Sequence, residues 1–179
     1  METQTSARSR ATKEKIYNAL TYLLKHKKIG EIYVKDVCTV ACIHRSSFYE
    51  HYRDINDLMI KTEESLSNGI AEIFAGSKFD RKNFVALFEY IGKHSEFYKA
   101  YLNNNEGRVM GQSDFVKFTE LAKVTDRSEN LELHMAFFAG GLQAVCNAWI
   151  LSGMKQTPEQ MADVIFDEYK QKSEYFDRA

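Results

Sequence analysis

Apolar residues recur at intervals of three and four along almost the whole chain, the spacing of one helical face. Ile16, Ala19, Leu20, Leu23 and Leu24 predict a first helix over about 11–28. Lys25, Lys27 and Lys28 favour its C-terminal end through the helix dipole, and Gly30 is placed to stop it. Two short helices follow, about 34–40 and 45–52, with only a few residues between them. Asp54 then stands where a cap would start a long helix reaching about Ala75, with Leu58, Leu66, Ile70, Ile73 and Phe74 on its apolar side and Gly76 as its stop. Phe79 precedes a cap at Asp80 and Phe84 follows four residues into the next helix, a hydrophobic-staple arrangement; Leu87, Phe88 and Ile91 continue its stripe. Helices near 95–102 and 114–124 flank the loop NNNEGRVMGQS. Two longer helices close the chain, and Thr157, Pro158 and Gln160 mark the start of the last as cap, first-turn proline and capping-box partner. Strand alternation, internal repeats and low-complexity segments do not occur. The pattern predicts an all-α protein of about nine helices, with residues 1–10 as a mobile basic arm.

Composition sharpens this reading. The 179 residues are 44% apolar and 27% charged, enough for a real core, and a single proline among them favours long unbroken helices. The net charge of −1 hides an asymmetry. Residues 1–53 carry ten Lys/Arg and five Asp/Glu, and residues 54–179 carry fourteen against twenty. A basic first third on an acidic remainder points that third at a polyanion. The three cysteines and a polar, basic N-terminus with no apolar segment behind it predict a cytoplasmic protein. The apolar tract Leu133–Leu151 contains Gln143, Asn147 and two glycines and lacks anchoring flanks, so it reads as a buried helix and not a membrane span.

Two short, tightly joined helices after a longer one fit a helix-turn-helix. Val34, Val37, Cys38 and Ala41 on the first, with Ile43, Phe48 and Tyr52 beyond it, would pack against Leu20, Leu23 and Leu24. That leaves Arg45, Ser46, Ser47 and Tyr49 outward near the start of the second helix, the end that enters a major groove. Arginine can bridge guanine O6 and N7, serine can bond bases or phosphates, and a tyrosine hydroxyl suits phosphate. Lys35 and Arg10 add positive charge to the same third of the chain.

The run VKDVCTVACIHRSSFYEHYRDINDLM resembles the DNA-binding segment of the TetR family of transcriptional regulators. The matching positions are Arg45, Ser46, Ser47, Phe48, Tyr49, His51, Tyr52, Asp54 and Leu58. The likeness is specific over about residues 10–60; beyond that it rests on length and helix order. It implies a head over residues 1–53, a linking helix over 54–75, and a ligand-binding and dimerisation domain over 54–179. The implied partners are double-stranded DNA, a second copy of the chain, and a small-molecule or protein effector of unknown identity. Several residues depart from the family pattern. Tyr33 stands where a threonine usually caps, Cys42 replaces a turn glycine, and His44 replaces a serine or asparagine cap. Ile55 replaces a lysine, and Glu50 adds negative charge to the recognition helix. Each would weaken phosphate attraction or local stability, which motivates an alternative: a member that acts through a partner protein and binds DNA weakly itself.

Other chemistries fit less well. Cys38, Cys42 and His44 are spaced for a metal or thiol sensor, but Cys38 falls at a core position and no fourth ligand is in view. His51 near Glu50, Ser46 and Ser47 lacks a pocket and an oxyanion site, and no phosphate loop, HExxH or nucleophile elbow occurs elsewhere. No enzymatic activity, cofactor or metal is therefore expected. Phe88, Tyr98, Tyr101, Phe118 and Phe138 are candidates either for plain core or for an effector pocket. On the helix through Leu133–Leu151, Leu133, Phe137, Gly140, Gly141, Ala144, Ala148 and Leu151 form one stripe; Phe138, Leu142, Val145 and Trp149 form a second. The heavy stripe suits the chain's own core. The small-residue stripe suits a symmetry mate, with Met161 and Ile165 of the last helix completing a four-helix interface.

Overall fold

The computed structural model describes residues 4–75, 80–104 and 131–176. Among these are eight α-helices, one 3-10 turn and no strand. The helices are α1 Gln4–Leu24, α2 Val34–Ala41, α3 Arg45–Tyr49, α4 Ile55–Phe74, α5 Arg81–Lys93, α6 Ser95–Asn104, α7 Leu131–Leu151 and α8 Pro158–Phe176. The helix expected near 114–124, together with Gly76 and Phe79, lies outside the described residues.

The first helix departs from expectation at both ends. The basic arm expected over residues 1–10 is helical from Gln4 onward, because no glycine or proline interrupts the run. It stops at Leu24 in a tightened turn, with Lys25 N–H donating to the Tyr22 carbonyl (3.2 Å) and His26 N–H to that of Leu23 (3.0 Å). Gly30 therefore lies in the 3-10 turn Ile29–Glu31 and does not end α1. Helix α3 ends at Tyr49, three residues short of the expected end.

Capping follows the sequence closely. Asp54 accepts from Asp57 N–H (2.8 Å) and Asp80 from Asn83 N–H (2.9 Å). Thr157 and Gln160 form a reciprocal capping box at the start of α8. Helix α7 closes in a Schellman motif, with Gly153 in the left-handed region (φ 88°) and Met154 N–H reaching the Trp149 carbonyl (2.8 Å).

One apolar core runs through the molecule. Ile16, Leu20, Leu24, Val37 and Phe48 are buried in the first three helices, and the same cluster continues through Leu58, Leu66 and Phe74 of α4 into α5 and α6. A row of rings joins the two parts. Tyr17 of α1 stacks on Phe97 of α6 (5.5 Å), which stacks on Tyr101 (5.6 Å). The Tyr17 hydroxyl also lies 3.0 Å from His94 Nδ1. Burial and then Lys93 hold the His94 imidazole below its usual range, while burial pushes the Tyr17 phenol up to about 12. Asn104 clamps the end of α1, donating to the Leu24 carbonyl (2.8 Å) and accepting from Ile29 N–H (3.1 Å). Lys25 pairs with Glu96 across the same seam.

Helix α5 packs along α8 and is tied to it by a two-pronged bond from Arg81 to Asp163. Trp149 of α7 sets its edge on Phe88 (5.3 Å) and donates its indole N–H to the Gln156 carbonyl (3.0 Å). Met161 and Ile165, expected between two copies, are instead buried within the chain, on the covered side of α8. Val164 of the same helix is 50% exposed. The periodicity placed all three on one broad side, and α5 covers only part of it.

Helix α4 meets Tyr90 of α5 at Gly69. A Cβ placed there would lie 2.2 Å from the Tyr90 hydroxyl and 2.5 Å from its ring. Glycine inside a helix ordinarily costs about 1 kcal/mol relative to alanine. Gly69→Ala is therefore expected to lower the melting temperature, overpacking outweighing the gain in helix propensity. In a Tyr90→Ala background the same change should stabilise by about 1 kcal/mol. Gly69→Ala that is equally stabilising in both backgrounds would show that Tyr90 does not set this approach.

Candidate nucleic-acid interface

The helix-turn-helix is built from inside out. Val37, Cys38, Ala41 and Phe48 are buried against Leu20, Leu23 and Leu24, and Val34, Ile43 and Tyr52 pack at the margin. Burial pushes the Cys38 thiol up, and the charge of Arg45 partly offsets this. Asp36 organises the start of α2, accepting from Tyr33 N–H (3.1 Å) and pairing with Lys27 of the α1 exit (3.2 Å). The Tyr33 N–H and then Lys27 hold the Asp36 carboxyl below its ordinary range. Only half of a capping box is thereby made, because the Tyr33 side chain makes no cap hydrogen bond in return. The Tyr33 ring is 59% exposed and lies under the Lys35 ammonium at 5.5 Å.

The turn itself is a Schellman motif with cysteine in the glycine position. Cys42 has φ 52° and ψ 49°; its N–H donates to the Thr39 carbonyl, and Ile43 N–H donates to that of Cys38 (3.0 Å). Its side chain is exposed while that of Cys38 is buried, so the two thiols do not share a site.

On α3 the residues divide cleanly. Phe48 is fully buried, and Arg45, Ser46 and Tyr49 are exposed with Ser47 half-buried beside them. Lys35 and Arg10 are exposed on α2 and α1. His51 is half-buried, its ring edge-on to Tyr52 at 6.2 Å. His44 makes no side-chain cap, and Glu50 is exposed at the C-terminal end of α3. Ile55, standing where the family pattern has a lysine, packs against the core.

One group was missed in the sequence. Arg53, Asp57 and Lys61 follow one another at intervals of four, a spacing that brings alternating charges together on a helix face. The Asp57 carboxylate, 7% exposed, accepts from the Arg53 guanidinium (3.2 Å) and the Lys61 ammonium (2.9 Å).

In the body, Phe88, Tyr98 and Tyr101 are buried in the continuous core, and Tyr101 donates to Glu63 of α4 (2.8 Å). Phe138 is half-buried against Phe84 (6.1 Å), and Phe118 lies outside the described residues. On α7 the heavy side faces inward, with Leu142 and Trp149 buried. Phe137, Gly140, Gly141, Ala144 and Ala148 are exposed, as are Leu133 and Leu151; Leu133 and Phe137 are each 72% accessible. A Cβ added at Gly140 or Gly141 would meet nothing within 4 Å. No described helix is long and apolar enough to cross a membrane.

The TetR-type family described as "Transcriptional regulator C-terminal region" matches residues 81–168. Over these residues the chain belongs to the TetR family of transcriptional regulators. Solved structures share the fold at low identity. A dihydroxyacetone kinase operon activator, DhaS, is 18% identical, with 90% of this chain and 95% of that one covered at a TM-score of 0.64. The fatty acid degradation regulator FadR from Bacillus halodurans is 14% identical, with 87% and 93% covered at 0.64. A transcriptional regulator of the TerR/AcrR family from Aquifex aeolicus VF5 is 14% identical, with 89% and 98% covered at 0.62. No curated protein sequence matches.

The left-handed Cys42 gives a direct test of the turn. A side chain there costs about 1–2 kcal/mol, and glycine gives back about 0.5–1 through its freer unfolded chain. Cys42→Gly is expected to stabilise the protein by about 0.5–1 kcal/mol in chemical denaturation. A loss of stability would show that the thiol, 3.7 Å from the Thr39 carbonyl, holds the turn in a way glycine cannot.

Proposed function

We propose that this TetR-family regulator is a cytoplasmic homodimer that binds operator DNA. Residues 1–53 form the head, residues 54–75 the linking helix, and residues 54–179 the domain that dimerises and takes an effector. The observation that carries this reading is the division of α3: Phe48 is buried while Arg45, Ser46 and Tyr49 face solvent together, with Lys35 exposed on the neighbouring helix. Arg45 reads base edges, Ser46, Ser47 and Tyr49 bond bases or phosphates, and His51, Lys35 and Arg10 supply backbone contacts. A small-molecule or protein effector that prefers one setting of the two heads shifts DNA affinity by its differential binding to the two states. The exposed Glu50 favours a second reading, in which the chain acts chiefly through a partner protein and binds DNA weakly. A gel shift on DNA from upstream of its own gene separates the two.

Arg45→Ala should weaken operator binding by roughly 1–3 kcal/mol and relax specificity. Lys35→Ala should weaken all sequences about equally and flatten the salt dependence. Equal losses on operator and random DNA for Arg45→Ala would remove its base-reading role.

The exposed stripe on α7 supports pairing with a second copy, since small residues allow close helix approach and the chain's own core leaves that side open. Ala144→Leu should overpack the contact at roughly 1–3 kcal/mol per affected site, twice in a two-fold interface. Sedimentation equilibrium should then show a shift toward monomer with helical circular dichroism near the parent's. A variant that stays fully dimeric at low concentration would place the interface on another face.

A further inference from the structure

Helix α3 is five residues long and its N-cap His44 contributes no side-chain bond, so its shape and direction depend on what holds its far end. Its exit is held by charged side chains of the following helix. The Lys61 ammonium, on the second turn of α4, receives three contacts at once. It donates to the His51 carbonyl (3.0 Å) and to Asp57 Oδ2 (2.9 Å), and it lies 5.5 Å from the centre of the Tyr52 ring. The Asp57 carboxylate takes the Arg53 backbone N–H at 2.9 Å and the Arg53 guanidinium at 3.2 Å. Its own N–H is capped by Asp54. The link from His51 to Asp54 is thus pinned at both ends to the first two turns of α4. Hydrogen bonds to charged groups are among the stronger ones, and the buried side of this cluster raises their weight.

We propose that Asp57 and Lys61 are positioning residues of the head, which fix recognition helix α3 to the start of α4 so that the two move as one piece. The inference rests on the DNA-binding reading for its consequence, but the latch itself is a property of the free protein. Helix α4 continues for twenty residues into the body, where Gly69 meets Tyr90 and Glu63 meets Tyr101. Because the latch joins α3 to that rod, the direction in which Arg45, Ser46 and Tyr49 point is set by α4 and not by α3 alone.

Two substitutions with opposite charge changes distinguish positioning from electrostatics. Asp57→Asn removes a negative charge near a polyanion, which on charge alone would tighten DNA binding. Lys61→Met removes a positive charge and keeps the length of the stem. In the full-length protein, the latch makes both variants exchange amide hydrogens faster across Arg45–Arg53 while the core of α1 stays protected. Both should weaken operator binding by about tenfold, the loss expected from one charged hydrogen bond. The slope of log affinity against log salt should stay at the parent's value for Lys61→Met, and Lys61→Arg should restore affinity. Unchanged exchange in both variants overturns the latch. So does faster exchange with parental operator affinity, tighter binding by Asp57→Asn, or a slope reduced by about one for Lys61→Met, which would make Lys61 a phosphate contact. If the parent protein itself binds no DNA, the functional reading fails, and the exchange experiment still decides the latch.

Discussion

A five-residue helix cannot hold its own shape in water. Closing the first turn fixes several backbone angles for one hydrogen bond, and α3 has scarcely more than one turn to recover that cost. Everything that positions Arg45, Ser46 and Tyr49 must therefore come from outside the helix. The apolar core supplies it from below, taking in Phe48 to zero exposure with Tyr52 set against it at 5.6 Å. The Schellman turn at Cys42 supplies it at the entrance, and the charged cluster around Asp57 supplies it at the exit. The surface offered to solvent is small, and most of the surrounding structure serves to aim it.

The same dependence extends into the body. The core of the first three helices has no boundary with the rest; it runs on through the Tyr17–Phe97–Tyr101 row and the Asn104 clamp. Helix α4 touches this row through Glu63 and the face of α5 through Gly69. A shift in α5 or α6 therefore meets close packing, and packed cores respond by changing arrangement rather than by bending continuously. Under the proposed reading, an effector bound in the body would have a physical route to the head without contacting it. Its size would be the difference in the effector's affinity for two arrangements, and no more.

Much of this was legible in the sequence, for identifiable reasons. The helical period and the capping residues Asp54, Asp80 and Thr157 mark elements locally, and local signals survive folding unchanged. The left-handed turn at Cys42 was foreseeable because the position demands a backbone state that glycine prefers. The α1 start was misplaced because polarity was taken for disorder where nothing breaks the helix. Met161 and Ile165 were assigned outward because periodicity identifies an apolar side without saying which neighbour covers it; α5 does. The Arg53–Asp57–Lys61 row was readable from its spacing, yet the Lys61 bond to the His51 carbonyl was not, since it crosses ten positions through a bend. The seam residues Tyr17, His94 and Asn104 carried no sequence signal, because their partners lie seventy or more positions away.

The central claim is that two copies of the chain present two α3 faces to one side of a duplex. Hydroxyl-radical footprinting of the full-length protein on its own upstream DNA tests it most directly. The account predicts two protected patches related by a two-fold axis, on one face of the helix and separated by about one turn or a multiple of it. A single asymmetric patch, or no protection at low salt, would contradict it.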